Sequence, residues 1–170
     1  ILPLSEQVKS ESFNVGDRIK VYVIDVKKAT KGPQIFLSRS HPGLVRRLFE
    51  LEVPEIADGI VEIKGVAREA GSRTKIAVYS HDENVDPVGA CVGNRGSRVQ
   101  NIVDELFGEK IDIIVWDEDP AILISNVLRP AEVEGVYINY VSEKEKMATA
   151  VVPEQQLSLA IGREGQNVRL

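Results

Sequence analysis

The sequence contains a single cysteine, Cys91, which excludes a disulfide-braced scaffold. No apolar run exceeds a few residues, so no helix that crosses a membrane is expected. No secretory signal pattern is visible, and a reducing cytoplasm is the expected compartment. The glycines are not followed by the Gly-Lys-Ser/Thr of a P-loop, and no strand runs directly into them as a dinucleotide fingerprint requires. Neither His41 nor His81 stands where it would activate a thiol, and Cys91 lies on an apolar helical face, so it reads as core. Asp117, Glu118 and Asp119 are consecutive, and consecutive carboxylates do not converge on one ion; they read as a solvated linker. No catalytic residue, metal site or cofactor is expected.

What is present is a repeated turn. Gly93-Asn94-Arg95-Gly96 recurs as Gly162-Arg163-Glu164-Gly165, 69 positions later. Val88, Cys91 and Val92 precede the first copy, and Leu157, Ala160 and Ile161 precede the second, at the spacing of one buried helical face. Val99 and Val168 follow at the same offset. Each copy therefore predicts a short helix, a sharp glycine turn and a second helix. Glycines allow another backbone to approach closely, and the following helix turns its free N–H groups and positive dipole end toward the loop. That arrangement suits a phosphate, and two copies with matching flanks point to nucleic acid.

The net charge of −5 opposes such a role, but the charge is uneven. Residues 1–40 carry seven basic against four acidic side chains, 41–117 nine against fourteen, and 118–170 five against eight. Near the first turn the only charges are Arg95 and Arg98. A local basic loop on an acidic body can bind a single strand with modest affinity.

Along the chain, alternation predicts strands over Arg18 to Val26 and Gln34 to Ser38, which form either part of a small barrel or an edge added to another sheet. A helix is predicted from Pro42 to Leu51 and strands over Ile60 to Val66 and Thr74 to Tyr79. Arg68, Arg73 and Lys75 cluster at the tip between these strands and read as a solvated turn. Asp86-Pro87 opens the short helix before the first glycine turn. Val99, Ile102, Val103, Leu106 and Phe107 mark the apolar face of the helix from Ser97 to Phe107, which Gly108 ends, and Lys110 to Trp116 follows as a strand. A helix from Ala121 to Leu128 and strands over Val136 to Val141 and Ala148 to Val152 lead to the helix opened by Pro153 and the second turn. The second copy stops at Leu170, the counterpart of Asn101, so it is expected to be incomplete.

The order helix–strand–strand–helix–GxxG–helix–strand resembles the KH module in its bacterial, type II arrangement. The runs Val88–Ile102 (VGACVGNRGSRVQNI), Leu157–Leu170 (LSLAIGREGQNVRL), Pro33–Pro42 (PQIFLSRSHP) and Leu48–Ile56 (LFELEVPEI) together resemble the NusA family of bacterial transcription elongation, pausing, termination and antitermination factors. The resemblance covers essentially the whole chain. It implies an α+β protein: the C-terminal part of an S-one type OB barrel (residues 1–40), a first KH domain (41–117) and an incomplete second KH domain (118–170). It implies binding of single-stranded RNA, the nascent transcript, by a monomer without enzymatic activity, in contact with RNA polymerase and other Nus-type factors.

In KH modules the GxxG loop clamps the backbone of about four nucleotides while the bases lie over an apolar groove. The residues implied here are Gly93, Asn94, Arg95, Gly96, Ser97 and Arg98, repeated by Gly162, Arg163, Glu164, Gly165, Gln166 and Asn167. Lys20, Lys27, Lys28 and Lys31 would add contacts from the barrel part. Glu164 departs from the family pattern, in which this loop position is basic or neutral. Two other readings remain open: the accessory region of an RNA-processing enzyme, as in polynucleotide phosphorylase, and an adaptor whose acidic surface binds a protein. The order of the domains disfavours the first.

Overall fold

Prolines set the starts of four helices, and three of those starts also carry a side-chain cap. In the computed structural model, which describes residues 1–170, α1 (Pro42–Glu52), α2 (Pro54–Ala57), α3 (Pro87–Val92) and α5 (Pro120–Val127) all begin at a proline. His41 Nδ1 accepts from the Gly43 N–H, Asp86 from that of Val88 and Asp119 from that of Ala121. The remaining helices are α4 (Ser97–Glu105), α6 (Leu157–Ile161) and α7 (Gln166–Arg169).

The strands form three separate sheets. β1 (Tyr22–Lys27) and β2 (Gln34–Ser38) pair only with each other, so an edge added to another sheet is not what the first segment forms. β3 (Val61–Glu69), β4 (Arg73–Ser80) and β5 (Lys110–Val115) lie in that order, and β6 (Gly135–Tyr140) pairs with β7 (Lys146–Val151). β5 runs parallel to β4, which requires a crossover; α3, the first glycine turn and α4 supply it. Residues 42–115 thus form one unit in the predicted order, and residues 120–170 repeat its elements as far as α7.

Strand alternation puts Val61, Ile63, Ile76 and Val78 on one face of the three-stranded sheet. Leu44, Val45, Leu48 and Phe49 of α1, Cys91 of α3 and Ile102 and Leu106 at α4 close over that face. Burial pushes the Cys91 thiol up to about 12, so it stays protonated inside the core.

Three expectations are corrected by tertiary contacts. The first strand begins at Tyr22 rather than Arg18, because the Lys20 N–H donates to Glu105 Oε1 at 3.0 Å and its carbonyl accepts from Arg39 Nη1 at 2.7 Å. Phe107 leaves the helical face: its φ of 56° carries it outward, where it meets Phe13 edge-on at 5.3 Å. The tip between β3 and β4 is no solvated turn. Arg68 pairs with Glu109 at 3.0 Å, with 1% and 0% of the two side chains exposed. Arg73 pairs with Asp112 at 2.6 Å, and Lys75 is buried.

The first segment is held to this unit by Arg39. Its side chain is fully buried, with Nη2 2.6 Å from Glu11 Oε1, Nη1 3.2 Å from Glu105 Oε1, and Nη2 donating to the Glu105 carbonyl at 2.8 Å. Burial works against its charge, but Glu11 and Glu105 outweigh it and hold the guanidinium above its usual range. Arg39→Met keeps most of the volume and leaves Glu11 buried without its cation. Urea unfolding is expected to register a loss of about 3–5 kcal/mol. Arg47→Met, which breaks an exposed pair with Glu50, is expected to leave the midpoint unchanged.

Candidate nucleic-acid interface

The two glycine turns have the same backbone. α3 ends at Gly93 (φ 75°, ψ 176°), and α6 ends at Gly162 (φ 77°, ψ 165°), a region that essentially only glycine occupies. One 3₁₀ turn follows in each, with Arg95 at φ 53°, ψ 30° and Glu164 at φ 53°, ψ 28°. Gly96 and Gly165 are left-handed, and α4 and α7 begin at the next residue. The N–H groups of Gly96 and Ser97, and of Gly165 and Gln166, bond back to carbonyls of their own turn, which leaves those of Asn94 and Arg95, and of Arg163 and Glu164, for an anion.

The side chains on this shared backbone differ. At the first loop Asn94, Arg95 and Ser97 are exposed. At the second, Arg163 and Glu164 are 93% and 82% exposed and stand 3.9 Å apart, a loose pair beside the place an anion would take. Arg98 does not extend the loop outward: its Nη1 donates to Glu55 at 2.8 Å and to the Ala90 carbonyl at 2.6 Å. Asn167 corrects the expectation drawn from its spacing. It is buried, and its Nδ2 donates to the carbonyls of Leu128 and Ala160, each at 3.0 Å, and of Leu159 at 3.4 Å. By the offset of the repeat Arg98 and Asn167 are counterparts, as are Ala90 and Leu159, so each loop is latched to the helix before it by the same contact.

The two units are joined by polar contacts between β3–β4 and the second unit. Lys75 Nζ donates to the carbonyls of Val127 and, at 3.2 Å, Arg129; burial pushes this ammonium down. Gln166 donates to Glu69 at 2.8 Å and to Ser72 at 2.7 Å, and Arg169 Nε meets Glu69 at 2.6 Å. Sequence reasoning missed this joint. The only trace of it was Lys75 in the basic cluster at the tip, whose partners lie 52 and 54 residues away in the chain. Of the barrel lysines, Lys20 lies 3.7 Å from Glu105, and Lys27 lies 3.7 Å from Asp25 and over the Phe36 ring. Along α3, the helix that runs into the first loop, a cavity of about 330 Å³ is floored by Val88 and by Ile113 to Val115 of β5.

Residues 39–116 match the NusA-like first KH domain family, and residues 120–170 the NusA-like second KH domain family, together more than half of the chain. The chain is 61% identical over 170 residues to the transcription termination/antitermination protein NusA of Halalkalibacterium halodurans, covering all of this chain and 44% of that protein. It is 59% identical over the same length to its counterpart from Bacillus subtilis, of which it covers 45%. The chain thus spans less than half the length of the curated relatives it matches. Among solved structures, the crystal structure of APE1850 shares the fold with a TM-score of 0.54 at 20% identity, over 74% of this chain and 82% of that one.

The loop glycines differ in what a side chain would meet. At Gly96 an added Cβ finds nothing within 4 Å, so Gly96→Ala carries only left-handed strain, about 1–2 kcal/mol. At Gly162 the Cβ would stand 2.6 Å from the Asn167 backbone nitrogen. Gly162→Ala is therefore expected to unfold at clearly lower urea than Gly96→Ala, and the reverse order would contradict this loop geometry.

Proposed function

The chain belongs to the NusA family, and on that premise we propose that it is the single-stranded RNA-binding region of a bacterial transcription elongation, pausing, termination and antitermination factor. It acts by binding, without catalysis, in the cytoplasm. Residues 1–40 are the end of an S-one type OB domain, 41–117 the first KH domain and 118–170 the second. The nascent transcript is the ligand, and RNA polymerase and other Nus-type factors are the partners of the whole protein.

The observation that supports this reading best is the pair of turns with one backbone conformation, each beside a helix start and each leaving the N–H groups of its two middle residues unbonded. A phosphodiester backbone passes a GxxG turn because no Cβ stands in its way, and the amides hold it. At the first loop Arg95 adds the charge, Asn94 and Ser97 add polar contacts, and the bases turn onto the apolar floor formed by Val88, Ile113 and Val115. Arg163 serves the second loop in the same way, while Gln166, whose amide is committed to Glu69 and Ser72, and Asn167 act indirectly by shaping the turn. The contacts between the units align the loops, so one strand can follow both.

Binding is expected for a single-stranded oligonucleotide and not for a duplex of the same sequence, with a shallow slope of log K against log salt, on the order of −2 to −4. Fluorescence anisotropy at several salt concentrations checks both. Replacing Asn94 and Arg95 together by Asp is expected to abolish binding at the first loop while circular dichroism stays native, since both side chains are exposed. Equal binding of duplex, or normal binding by that double variant, would sink the reading.

Glu164 gives a test of opposite sign. Its carboxylate opposes the phosphate that the amides attract, so Glu164→Lys is expected to tighten binding several-fold at low salt and steepen the salt slope by about one unit. Unchanged affinity at two salt concentrations would mean that RNA does not pass the second loop.

A further inference from the structure

We propose that Arg129 of the second unit is a base-reading residue of the first unit's groove, selecting bases that present two adjacent acceptors, guanine or cytosine, over adenine. The inference rests on the reading of the first loop as an RNA-backbone site. The cavity along α3, the helix that runs into that loop, is not built by the first unit alone. Val88, Ile113, Ile114 and Val115 come from α3 and β5, and its remaining lining residues are Asn126 and Arg129, which follow in the chain after the linker to α5. β5 is the last strand of its sheet, and Asn126 Nδ2 donates to the Val115 carbonyl at 3.1 Å, which fastens the second unit to that open edge.

Arg129 is held there by its backbone and is free at its tip. Lys75, buried under the joint, donates to the carbonyls of Val127 and Arg129. The side chain of Arg129 is exposed. Nearby arginines are committed, Arg73 to Asp112 and Arg98 to Glu55, whereas the Arg129 guanidinium has no acidic partner. An uncommitted guanidinium thus lines an apolar groove whose other side is the helix that runs into Gly93.

The division of chemistry follows from that placement. The phosphates are held at the Gly93–Gly96 turn, on the α3 side. Bases then lie across Ile113 and Val115 toward Arg129, which meets their edges rather than their phosphates. A planar guanidinium with five N–H donors and no acceptor matches two acceptors side by side. On an unpaired strand guanine presents that pair as O6 and N7 and cytosine as O2 and N3, while adenine presents one acceptor beside one donor.

The experiment measures binding of the full 170-residue chain to short single-stranded oligonucleotides that differ at one position, carrying guanine, 7-deazaguanine, cytosine or adenine in turn. The expected result is a position at which guanine or cytosine binds more tightly than adenine, and 7-deazaguanine is weaker there if guanine is the preferred base. Arg129→Ala should weaken the preferred oligonucleotide roughly tenfold, the scale of one lost bidentate base contact, and leave the adenine one nearly unchanged. The salt slope should not move, because no phosphate contact is lost. The substitution leaves the joint in place, since Lys75 grips the backbone carbonyl and not the side chain.

No preference for guanine or cytosine over adenine in the wild type, or an Arg129→Ala variant that binds every oligonucleotide as the wild type does, would overturn the proposal. So would a uniform weakening with a shallower salt slope, which would make Arg129 a phosphate contact. The variant with Asp at positions 94 and 95 is measured alongside. If it loses binding while Arg129→Ala changes nothing, only the base-reading role falls; if it binds normally, the loop reading falls as well.

Discussion

Arg39 must find all its partners inside the protein, because none of its side chain reaches water. A guanidinium withdrawn from solvent is tolerated only where carboxylates and carbonyls surround it, and here they come from Glu11, Lys20 and Glu105. Those groups belong to the first segment and to the end of α4, so satisfying one charge fixes how the two meet. Phe13 and Phe107 stand at 5.6 and 5.9 Å from the same guanidinium and shield it. Arg68 repeats the device between β3 and the approach to β5, with Glu109 and the His41 carbonyl as partners. Lys75 repeats it once more across the joint to the second unit. Buried charges of this kind add little net stability, but a wrong arrangement leaves them unpaired, so they select one packing of the pieces over others.

That packing explains how an acidic chain can offer anion-binding loops. The net charge of −5 sets the field at a distance, whereas a phosphate at the loop meets the amides of a left-handed turn within contact range. Several basic side chains near the loops are committed to partners within the fold: Arg98 to Glu55 and Ala90, Arg169 to Glu69 and the Glu164 carbonyl. Arg95 and Arg163 point outward. The number of basic residues in the sequence is therefore a poor guide to the number available to a ligand.

The repeat keeps its backbone and changes its chemistry. Gly93 and Gly162 adopt nearly the same angles, and so do Arg95 and Glu164, although one carries a positive and the other a negative side chain. The latch position is filled by an arginine in one copy and an asparagine in the other, and both reach back to the preceding helix. On the proposed reading, two loops of equal shape and unequal charge would give a single strand a stronger and a weaker hold.

The local pattern of the sequence determined what depends on neighbours in the chain. The apolar spacing around Val99 and Ile102, the Asp86-Pro87 start and the positive-φ demand at Gly93 and Gly162 each act within a turn or two, so both loops and every helix but the short α2 were legible, as was β2 from Gln34 to Ser38. Contacts between distant residues were not. Nothing local marks Lys20 as hydrogen-bonded to Glu105, which is why the first strand was read too long. Arg68, Arg73 and Lys75 looked like the rim of a solvated turn because their partners, Glu109, Asp112 and the carbonyls after α5, come together only when β5 and the second unit pack against the hairpin. Asn167 looked like a loop contact because spacing gives its distance from the glycines, while the direction of its amide is set by the carbonyls of Leu128 and Ala160. Spacing along a chain fixes backbone geometry; which side chains remain free for a ligand is decided by long-range polar partners, and these exist only in the folded protein.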